Sequence, residues 1–447
     1  MASIELRLMY YFIDGVDDHR PITDSAIGVN LVSARRISPP TLLYLPEASA
    51  TKKLSFHHWQ QNIYTYRTTK VIPLFTTLST FAMSPSIGRE IRYLVIGGSG
   101  FLGSYIAQAL IDRGEKFVTI YDLAKPLGQD VIRGVDYFCG DILNEGQLLD
   151  CLKKASPGHR FCTSTTVVFH TVSPQHGLQD NLYTRVNVEG TRSILRACHA
   201  AGVKHFVYTS SASVVWSDGD ISGLSEDEVR MPEKVYEWYA HTKGIAENMV
   251  MKENGVSGMK VVALRPCGMI GPRDRAAMWR LADAYNKGQH KYQMGPNKNL
   301  VDYTYVGNVA DAHLLAADHL VANAQPAVAG EVFFITDGKP VPYWTLPHTV
   351  FRQLGFDGEG IVVLPKWLCL ILAFFSELWA RWVTGGLPGF PRFIVNIATQ
   401  EQYYNINKAK RLLGYKPRVS LEEGITRMVD WWKETGEREH LERSRKN

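Results

Sequence analysis

A doubly wound α/β fold, a parallel (Rossmann) sheet with a smaller C-terminal substrate domain, is what three features of this 447-residue sequence predict. Short apolar strands alternate with helical patterns from Arg89 onward. The first strand runs into glycines at 97, 100 and 103, and a second strand ends in a carboxylate, Asp122, about 20 residues after the last of them. Parallel strands need crossovers, and right-handed crossovers cover both faces, so the alternation itself specifies the layers.

The stretch Tyr93-Leu-Val-Ile-Gly-Gly-Ser-Gly-Phe-Leu-Gly103 is the centre of the pattern. A buried strand that must turn sharply, admit a pyrophosphate to its backbone and start a helix at once needs residues without a Cβ at Gly97, Gly100 and Gly103. The helix Ser104 to Arg113 follows, with Ile106, Ala109 and Leu110 on one face. The second strand, Phe117 to Tyr121, ends at Asp122, whose carboxylate would accept hydrogen bonds from ribose hydroxyls and repel a 2′-phosphate, favouring NAD over NADP. Next come a strand Val135–Cys139 closed by Gly140-Asp141, a helix Gln147–Lys154, a polar insert at 156–164, and a strand Thr166–His170. A helix Val186–Ala201 leads to the strand His205–Thr209, and Val261–Leu264 and Val332–Ile335 complete the series.

Composition narrows the class. The chain is 45% hydrophobic with a net charge of +5, ample for a large core, and its one basic block is the short tail 438–446, so nucleic acid is not an expected partner. Six cysteines (Cys139, Cys151, Cys162, Cys198, Cys267, Cys369) form no CxxC pair and fall in strand or helix patterns, as buried thiols of a reducing compartment do. No His/Cys/carboxylate cluster has metal-ligand spacing, so no metal is expected.

Residues 1–88 differ from the rest. They lack a secretory h-region, Asp14, Asp17 and Asp18 argue against a mitochondrial presequence, and Pro39, Pro40, Pro46 and the polar run 51–61 break each apolar segment. They read as a poorly ordered extension or a misassigned upstream start, with Met83 where a dinucleotide-binding protein would ordinarily begin. The expected organisation is 1–88 as this extension, 89–265 as the NAD-binding domain, and 266–447 as the substrate part, from which late strands return to the main sheet.

Ligands of such sheets bind beyond the carboxyl ends of the strands. There stand His170-Thr-Val-Ser-Pro174 and Thr209-Ser-Ser-Ala-Ser213, both small and hydroxyl-rich. Downstream, Tyr239 and Lys243 are four apart and share a helix face. The spacing Tyr-x-x-x-Lys occurs four times: Tyr66 to Lys70, Tyr121 to Lys125, Tyr239 to Lys243 and Tyr404 to Lys408. Position decides among them. The first lies in the unpatterned extension, the second at the strand end assigned to ribose, and the fourth in a surface-like helix closed by Gly414 and Pro417 near the C-terminus.

Gly97 to Gly103, Asp122, Asp141-Ile142, Asn187-Val-Glu-Gly-Thr191, Tyr208-Thr-Ser-Ser211, Tyr239 with Lys243, Leu264-Arg-Pro266 and Gly271-Pro-Arg-Asp274 resemble an extended short-chain dehydrogenase/reductase. Val301 to Ala310 and Gly330 to Trp344 are similar to the 3β-hydroxysteroid dehydrogenase family, especially its branch acting on sterol 4α-carboxylates. The resemblance covers about residues 91–435. Ile96 stands where many extended members have threonine, and the segment His170–Pro174 departs from the Asn-Ala-Ala type of many relatives.

The resemblance implies a catalytic set of Tyr239, Lys243 and Ser211, with Ser210 as the alternative serine. It implies cofactor contacts from Gly97, Gly100, Phe101, Leu102, Gly103, Asp122, Asp141, Ile142, Lys243 and Pro266, the cofactor being NAD. A phenol titrates near pH ~10, so Tyr239 serves as a base only if its anion is stabilised, here by Lys243 and the positive nicotinamide. Ser211 would hold the substrate oxygen. Asn187 is either a helix N-cap or an aligner of the active-site helix, while His170 and His241 read as structural.

The implied reaction is oxidation of the 3β-hydroxyl of a sterol, steroid or triterpenoid, with decarboxylation where a 4α-carboxylate is present. A dehydrogenase without decarboxylation is the alternative; a nucleotide-sugar epimerase or a non-enzymatic NAD-binding regulator is the alternative of another class. Trp279, Tyr285, Tyr292 and Met294 suit a flat apolar ligand or a plain core equally. In 361–382 the uninterrupted apolar run, Trp367 to Phe375, falls short of the about 20 residues that span a bilayer. Lys366, Arg381, Trp367, Trp379 and Trp382 flank it as in a segment lying at a membrane interface, with a buried substrate-domain helix as the rival. The expected partners are therefore a sterol-like small molecule, a membrane surface and, as an assembly option, a second copy of the chain. The expected location is the cytosolic face of the endoplasmic reticulum membrane, held peripherally.

Overall fold

The computed structural model describes residues 91–444 apart from 155–165, 176–177, 218, 234–236, 324–326 and 387. The extension 1–88 with Tyr66 and Lys70, the polar insert, Cys162 and the end of the basic tail lie outside the described residues.

Seven strands form one sheet: β1 (Arg92–Ile96), β2 (Val118–Asp122), β3 (Asp136–Cys139), β4 (Thr166–His170), β5 (His205–Thr209), β6 (Lys260–Pro266) and β7 (Val332–Ile335). Their spatial order is β7-β6-β5-β4-β1-β2-β3, and every neighbouring pair is parallel. The order reverses between β1 and β4, so the crevice above that point is where a doubly wound sheet receives its ligand.

Strand β1 shows why the layers form. Its residues point alternately to opposite faces, and both faces are apolar: Tyr93 and Val95 enter one core, Leu94 and Ile96 the other. The first core is closed by helices α1 (Phe101–Asp112) and α5 (Val306–Ala322) through Ile106, Leu110, Val309, Ala316 and Leu320. The second is closed by α2 (Glu145–Lys153), α3 (Thr191–Ala201) and α4 (Trp238–Lys252) through Leu148, Leu152, Ile194, Cys198, Ala246 and Val250. Each such Leu, Ile or Val side chain contributes about 1.5–3 kcal/mol on full burial.

Several expectations are corrected. The helix expected over 186–201 is helical throughout but begins earlier, at Asp180, and its stretch Thr184–Gly190 is π-helical before α3. Tyr404 is not on a surface helix; it lies in a strand, Gln402–Tyr404, is 5% exposed, and its hydroxyl donates to Ala212 O at 3.3 Å. That strand pairs with Leu300–Val301 and with Ile221–Leu224, so a segment from the first half of the chain is built into the second sheet. Two to four residues of strand carry too little periodicity to be read without their partners. For Trp279 and Tyr285 the plain-core alternative is the one observed: Trp279 packs with the C-terminal helices and against His440, and Tyr285 stacks on Phe351.

The apolar segment of the substrate part is also longer than its sequence run. Helix α6 (Lys366–Trp379) continues as a π-helical turn to Thr384, making 19 residues of mean hydropathy 1.3, long and apolar enough to cross a membrane. It is not a core helix. Cys369, Ala373 and Ala380 are its buried residues, with the first two packing beside Phe390 and Val395 of the adjoining α7 (Arg392–Thr399) region. Trp367, Ile371, Phe374, Phe375, Leu378, Trp379 and Trp382 are each more than two-fifths exposed.

Candidate active site

The turn from β1 to α1 is as tight as the glycine spacing requires. Gly97 has φ +86°, and a Cβ there would stand 2.8 Å from Thr171 Oγ1. At Gly103 it would stand 2.2 Å from the Gly97 carbonyl oxygen, so the helix rests directly on the turn. Gly98, not singled out from the spacing, is equally constrained, with Ile120 Cγ1 at 2.6 Å. Gly100 opens α1 without a side-chain cap, which leaves the first amides of the helix to whatever anion occupies the crevice. Leu102 is buried in the core, so its amide is what it can offer a ligand, while Phe101 lies partly exposed against Tyr105 at a ring separation of 6.1 Å.

Asp122 stands at the end of β2 beside this turn. Its Oδ2 accepts from Ser99 N at 2.9 Å and its Oδ1 from Leu123 N at 2.8 Å. Burial raises its pKa, and these amides act in the opposite direction by favouring the anion. The Tyr121 hydroxyl donates to Asp141 O at 2.9 Å, fixing the β3 end, where Asp141 is exposed and Ile142 is packed. This tether also disposes of the Tyr121–Lys125 pair: the Lys125 amine lies 5.0 Å above the Tyr137 ring. Pro266 closes β6, buried. A glycine cradle that any Cβ would fill, uncapped helix amides and a carboxylate at the second strand fit a dinucleotide with free ribose hydroxyls. Replacing Asp122 by Ala is expected to weaken NAD about 10- to 100-fold, the equivalent of losing charge-assisted hydrogen bonds, and to shift preference toward NADP. The ratio of KM values for the two cofactors checks this; an unchanged ratio removes Asp122 from the ribose site.

Helix α4 brings the proposed chemistry to the same crevice. Glu237 caps it, its side chain accepting from Ala240 N at 3.0 Å, which sets Tyr239 in the first turn. Lys243, one turn on, is 2% exposed; its Nζ donates to Thr209 O at 2.6 Å and lies 4.6 Å over the Tyr208 ring. Burial pushes Lys243 down to about 7, against the charge of Glu247, itself paired with Arg265 at 2.6 Å. Ser211 begins a 3₁₀ turn beyond β5, accepts from Ser213 N, and its hydroxyl acts on Tyr239 in the sense that favours the phenolate. Ser210 is 2% exposed, and its Oγ has no hydrogen-bond partner. Ser211 is therefore the serine that the structure sets beside Tyr239.

The phenol of Tyr239 needs that stabilisation. Burial pushes Tyr239 up to about 12, with hydrogen bonds from Ser173 and Ser211 opposing it. The chain's own groups do not bring the phenol into the neutral range, since the ammonium of Lys243 is anchored on a backbone carbonyl and burial dominates. The remaining positive charge must come from the oxidised nicotinamide.

Two neighbours of Tyr239 escaped the sequence reading. The Tyr183 ring meets it edge-on at 5.7 Å, and Ser173, in the segment that departs from relatives, acts on it in the sense that favours the phenolate. Asn187 is not an N-cap: it sits inside the π-helical stretch, donates to Thr242 Oγ1 at 3.0 Å, and ties that stretch to α4. His170 is fully buried, with Nε2 2.9 Å from Thr191 Oγ1, and burial together with Lys243 pushes it down to about 3. His241 leans on Trp238 at 5.0 Å on another side of the helix.

Residues 94–366 match the model of the 3-beta hydroxysteroid dehydrogenase/isomerase family. The sterol-4-alpha-carboxylate 3-dehydrogenase, decarboxylating, of Saccharomyces cerevisiae is 39% identical, across 76% of this chain and 97% of that protein. The enzyme of the same name from Candida albicans is 37% identical over the same shares. The human one is 32% identical, across 76% of this chain and 87% of its own. Among solved structures, UDP-glucose 4-epimerase of Thermus thermophilus in complex with NAD superposes with a TM-score of 0.56 at 23% identity, covering 77% of this chain and all (100%) of that one. That likeness speaks to the fold alone.

Proposed function

The chain belongs to the 3-beta hydroxysteroid dehydrogenase/isomerase family, and from that premise we propose that it is an NAD-dependent oxidoreductase of sterol biosynthesis that oxidises the 3β-hydroxyl of a 4α-carboxysterol, with loss of the carboxylate as CO₂. The observation that carries the reading is Tyr239 one turn from a buried Lys243 on α4, with Ser211 acting on it in the sense that favours the phenolate, in a chain that spans nearly the whole length of enzymes named for this reaction.

Bound NAD supplies the hydride acceptor and a positive ring. Tyr239, as phenolate, takes the hydroxyl proton of the substrate, Ser211 holds the substrate oxygen, and Lys243 lies buried at the base of the site, where it is placed to hold ribose. The product ketone lies β to the 4α-carboxylate. The C4–carboxylate bond then breaks, its electrons pass into an enolate on the ketone oxygen, CO₂ leaves, and C4 takes one proton from water to restore the ketone. This step needs no metal and little from the protein. Purified protein with NAD is expected to form NADH and CO₂ in equal amounts from a 4α-carboxysterol. NADH without CO₂ would return the function to a plain 3β-hydroxysteroid dehydrogenase, and interconversion of UDP-sugars to an epimerase.

The same proposal includes the membrane. An apolar face from Trp367 to Trp382, extended by the exposed Val362 and Val363 and bordered by Lys366, Arg381 and Arg392, supports a peripheral seat in the interface of the endoplasmic reticulum membrane on its cytosolic side. Because the opposite side of α6 is covered by Phe390 and α7, a lying helix buries apolar surface without uncovering that packing. Ile371 and Phe375, four apart, are 46% and 51% exposed, whereas Leu370 packs inward. The double variant Ile371→Glu/Phe375→Glu is expected to leave microsomes for the supernatant with an unchanged Tm. A variant that still sediments refutes the interfacial seat.

A further inference from the structure

The loop that follows Asp122 is tied down at both ends by side chains from outside it. At its start the Ser99 hydroxyl, in the glycine turn, donates to Ala124 O at 3.0 Å. At its far end Asp130 completes a short 3₁₀ turn, Gly128–Asp130, and its Oδ2 accepts from Arg275 Nη2 at 2.6 Å. None of the residues from Leu123 to Asp130 is buried, and Leu123 and Leu127 are 72% and 85% exposed. A segment with so little buried apolar surface keeps its place through its ties.

Arg275 comes from beyond β6, 145 positions further along the chain, and the turn that delivers it is fastened on both sides. Asp274 N donates to Gly271 O at 3.1 Å across Pro272 and Arg273, and Arg273 has φ +69°. Proline followed by a left-handed residue makes this a type II turn, whose third position ordinarily goes to glycine. The Arg273 guanidinium lies 5.0 Å over the ring of Tyr105 in α1, and the Tyr105 hydroxyl donates to Pro272 O at 3.1 Å, so the turn is held against the helix that opens the glycine cradle. On the other side, Asp274 Oδ1 accepts from Ala276 N and Ala277 N, both at 2.9 Å. Arg275 stands between these anchors, and its guanidinium is shared: Nε donates to Glu439 Oε2 at 2.8 Å, and the group lies 5.9 Å over the Trp431 ring. Glu439 belongs to the C-terminal helix Glu437–Ser444, where His440 Nε2 is 2.8 Å from Asp283 Oδ1 and its ring 4.9 Å from that of Trp279. The three charged side chains are 23% to 30% exposed. An isolated surface pair contributes little, but one guanidinium gripped by two half-buried carboxylates is a network with fixed geometry.

We propose that Arg275 is a positioning residue of the cofactor site: holding Asp130 with one nitrogen and Glu439 with another, it keeps the loop 123–130 in place for the adenosine half of NAD and makes the C-terminal helix part of that site. The inference rests on the reading of Asp122 as the ribose ligand. A loop already held needs no ordering when adenosine arrives, whereas a released loop loses its freedom on binding and affinity falls by that amount. The loss is therefore confined to ligands that carry adenosine.

Calorimetric titration of the full chain with NAD and with ADP-ribose, and displacement of NADH by nicotinamide mononucleotide, test it. Arg275→Ala is expected to weaken NAD and ADP-ribose about five- to tenfold and to leave nicotinamide mononucleotide, which has no adenosine, unchanged. The double variant Asp130→Asn/Arg275→Ala should bind no more weakly than Arg275→Ala, because both substitutions cut the same tie. Glu439→Gln keeps the shape of the contact and removes its charge; it should lose about twofold for the same two ligands. That milder variant gives the same reading if Arg275→Ala lowers Tm. Wild-type affinity of Arg275→Ala for ADP-ribose overturns the proposal, and so does an equal loss for nicotinamide mononucleotide, which marks a general structural role. Wild-type affinity of Glu439→Gln removes the C-terminal helix from the site. If Asp122→Ala binds ADP-ribose as the wild type does, the ribose reading has failed and this inference falls with it; if Asp122→Ala is weak while Arg275→Ala is not, only the role of Arg275 fails.

Discussion

Tyr239→Phe is expected to bind NAD as the wild type does and to lose about 10² to 10⁴ in kcat, the usual share of a positioned acid–base group. The substitution removes one hydroxyl and leaves the ring, whose edge-on contact with Tyr183 at 5.7 Å keeps the helix start packed. Pre-steady-state measurement of NADH formation separates this loss from any change in product release. The pH profile adds an independent sign. Burial holds the phenol high, at about 12, in the chain alone. A base with a raised pKa is active in its deprotonated form, so kcat should climb with pH from neutral toward the pKa that Tyr239 has in the ternary complex. Tyr239→Phe should flatten that climb. A variant with more than about a tenth of wild-type kcat would move the base to another residue.

The second large effect is expected at Gly103. Alanine there puts a Cβ 2.2 Å from the Gly97 carbonyl oxygen, and the contacting atom is backbone. The turn or the helix must give way, at about 2–3 kcal/mol for an overpacked site. Because the turn that moves is the one expected to hold the pyrophosphate, NAD affinity should fall about 30- to 100-fold. Calorimetric titration reads this directly. Gly219→Ala is the control: no atom lies within 4 Å of its added Cβ. Equal affinity for the Gly103→Ala and Gly219→Ala proteins would detach the cofactor from the β1–α1 turn.

The two sites differ in how they were made legible. Gly103 announces itself in sequence because the requirement is local: a strand, a turn and a helix within a dozen residues need missing Cβ atoms at set spacings. The same locality fixed Asp122 at a strand end and paired Tyr239 with Lys243 by one helical turn. Two of the rival pairs of equal spacing are set aside by contacts instead, since Tyr121 and Tyr404 prove to be buried with hydroxyls bound to Asp141 O and Ala212 O. Whole-element alternation was enough for the parallel sheet, because period and flanking glycines are written along the chain.

What tertiary structure decided is everything that depends on residues far apart in sequence. Ser211 rather than Ser210 meets Tyr239 because β5 ends where it does against Leu264 O, which accepts from Ser210 N at 2.7 Å. Asn187 reaches Thr242 across 55 positions, and Ser173 becomes a neighbour of Tyr239 only when β4 and α4 are folded together. The upward shift of Tyr239 could not be read along the chain because burial is set by the whole fold, and here it outweighs the effect of the nearby hydroxyls. Likewise the run 367–375 shows that a helix is apolar, whereas only packing shows which side Cys369 and Ala373 cover and which side is left facing out. Local covalent geometry fixes where a backbone can turn; desolvation and the closing of hydrogen bonds between distant segments fix what the side chains at those turns can do.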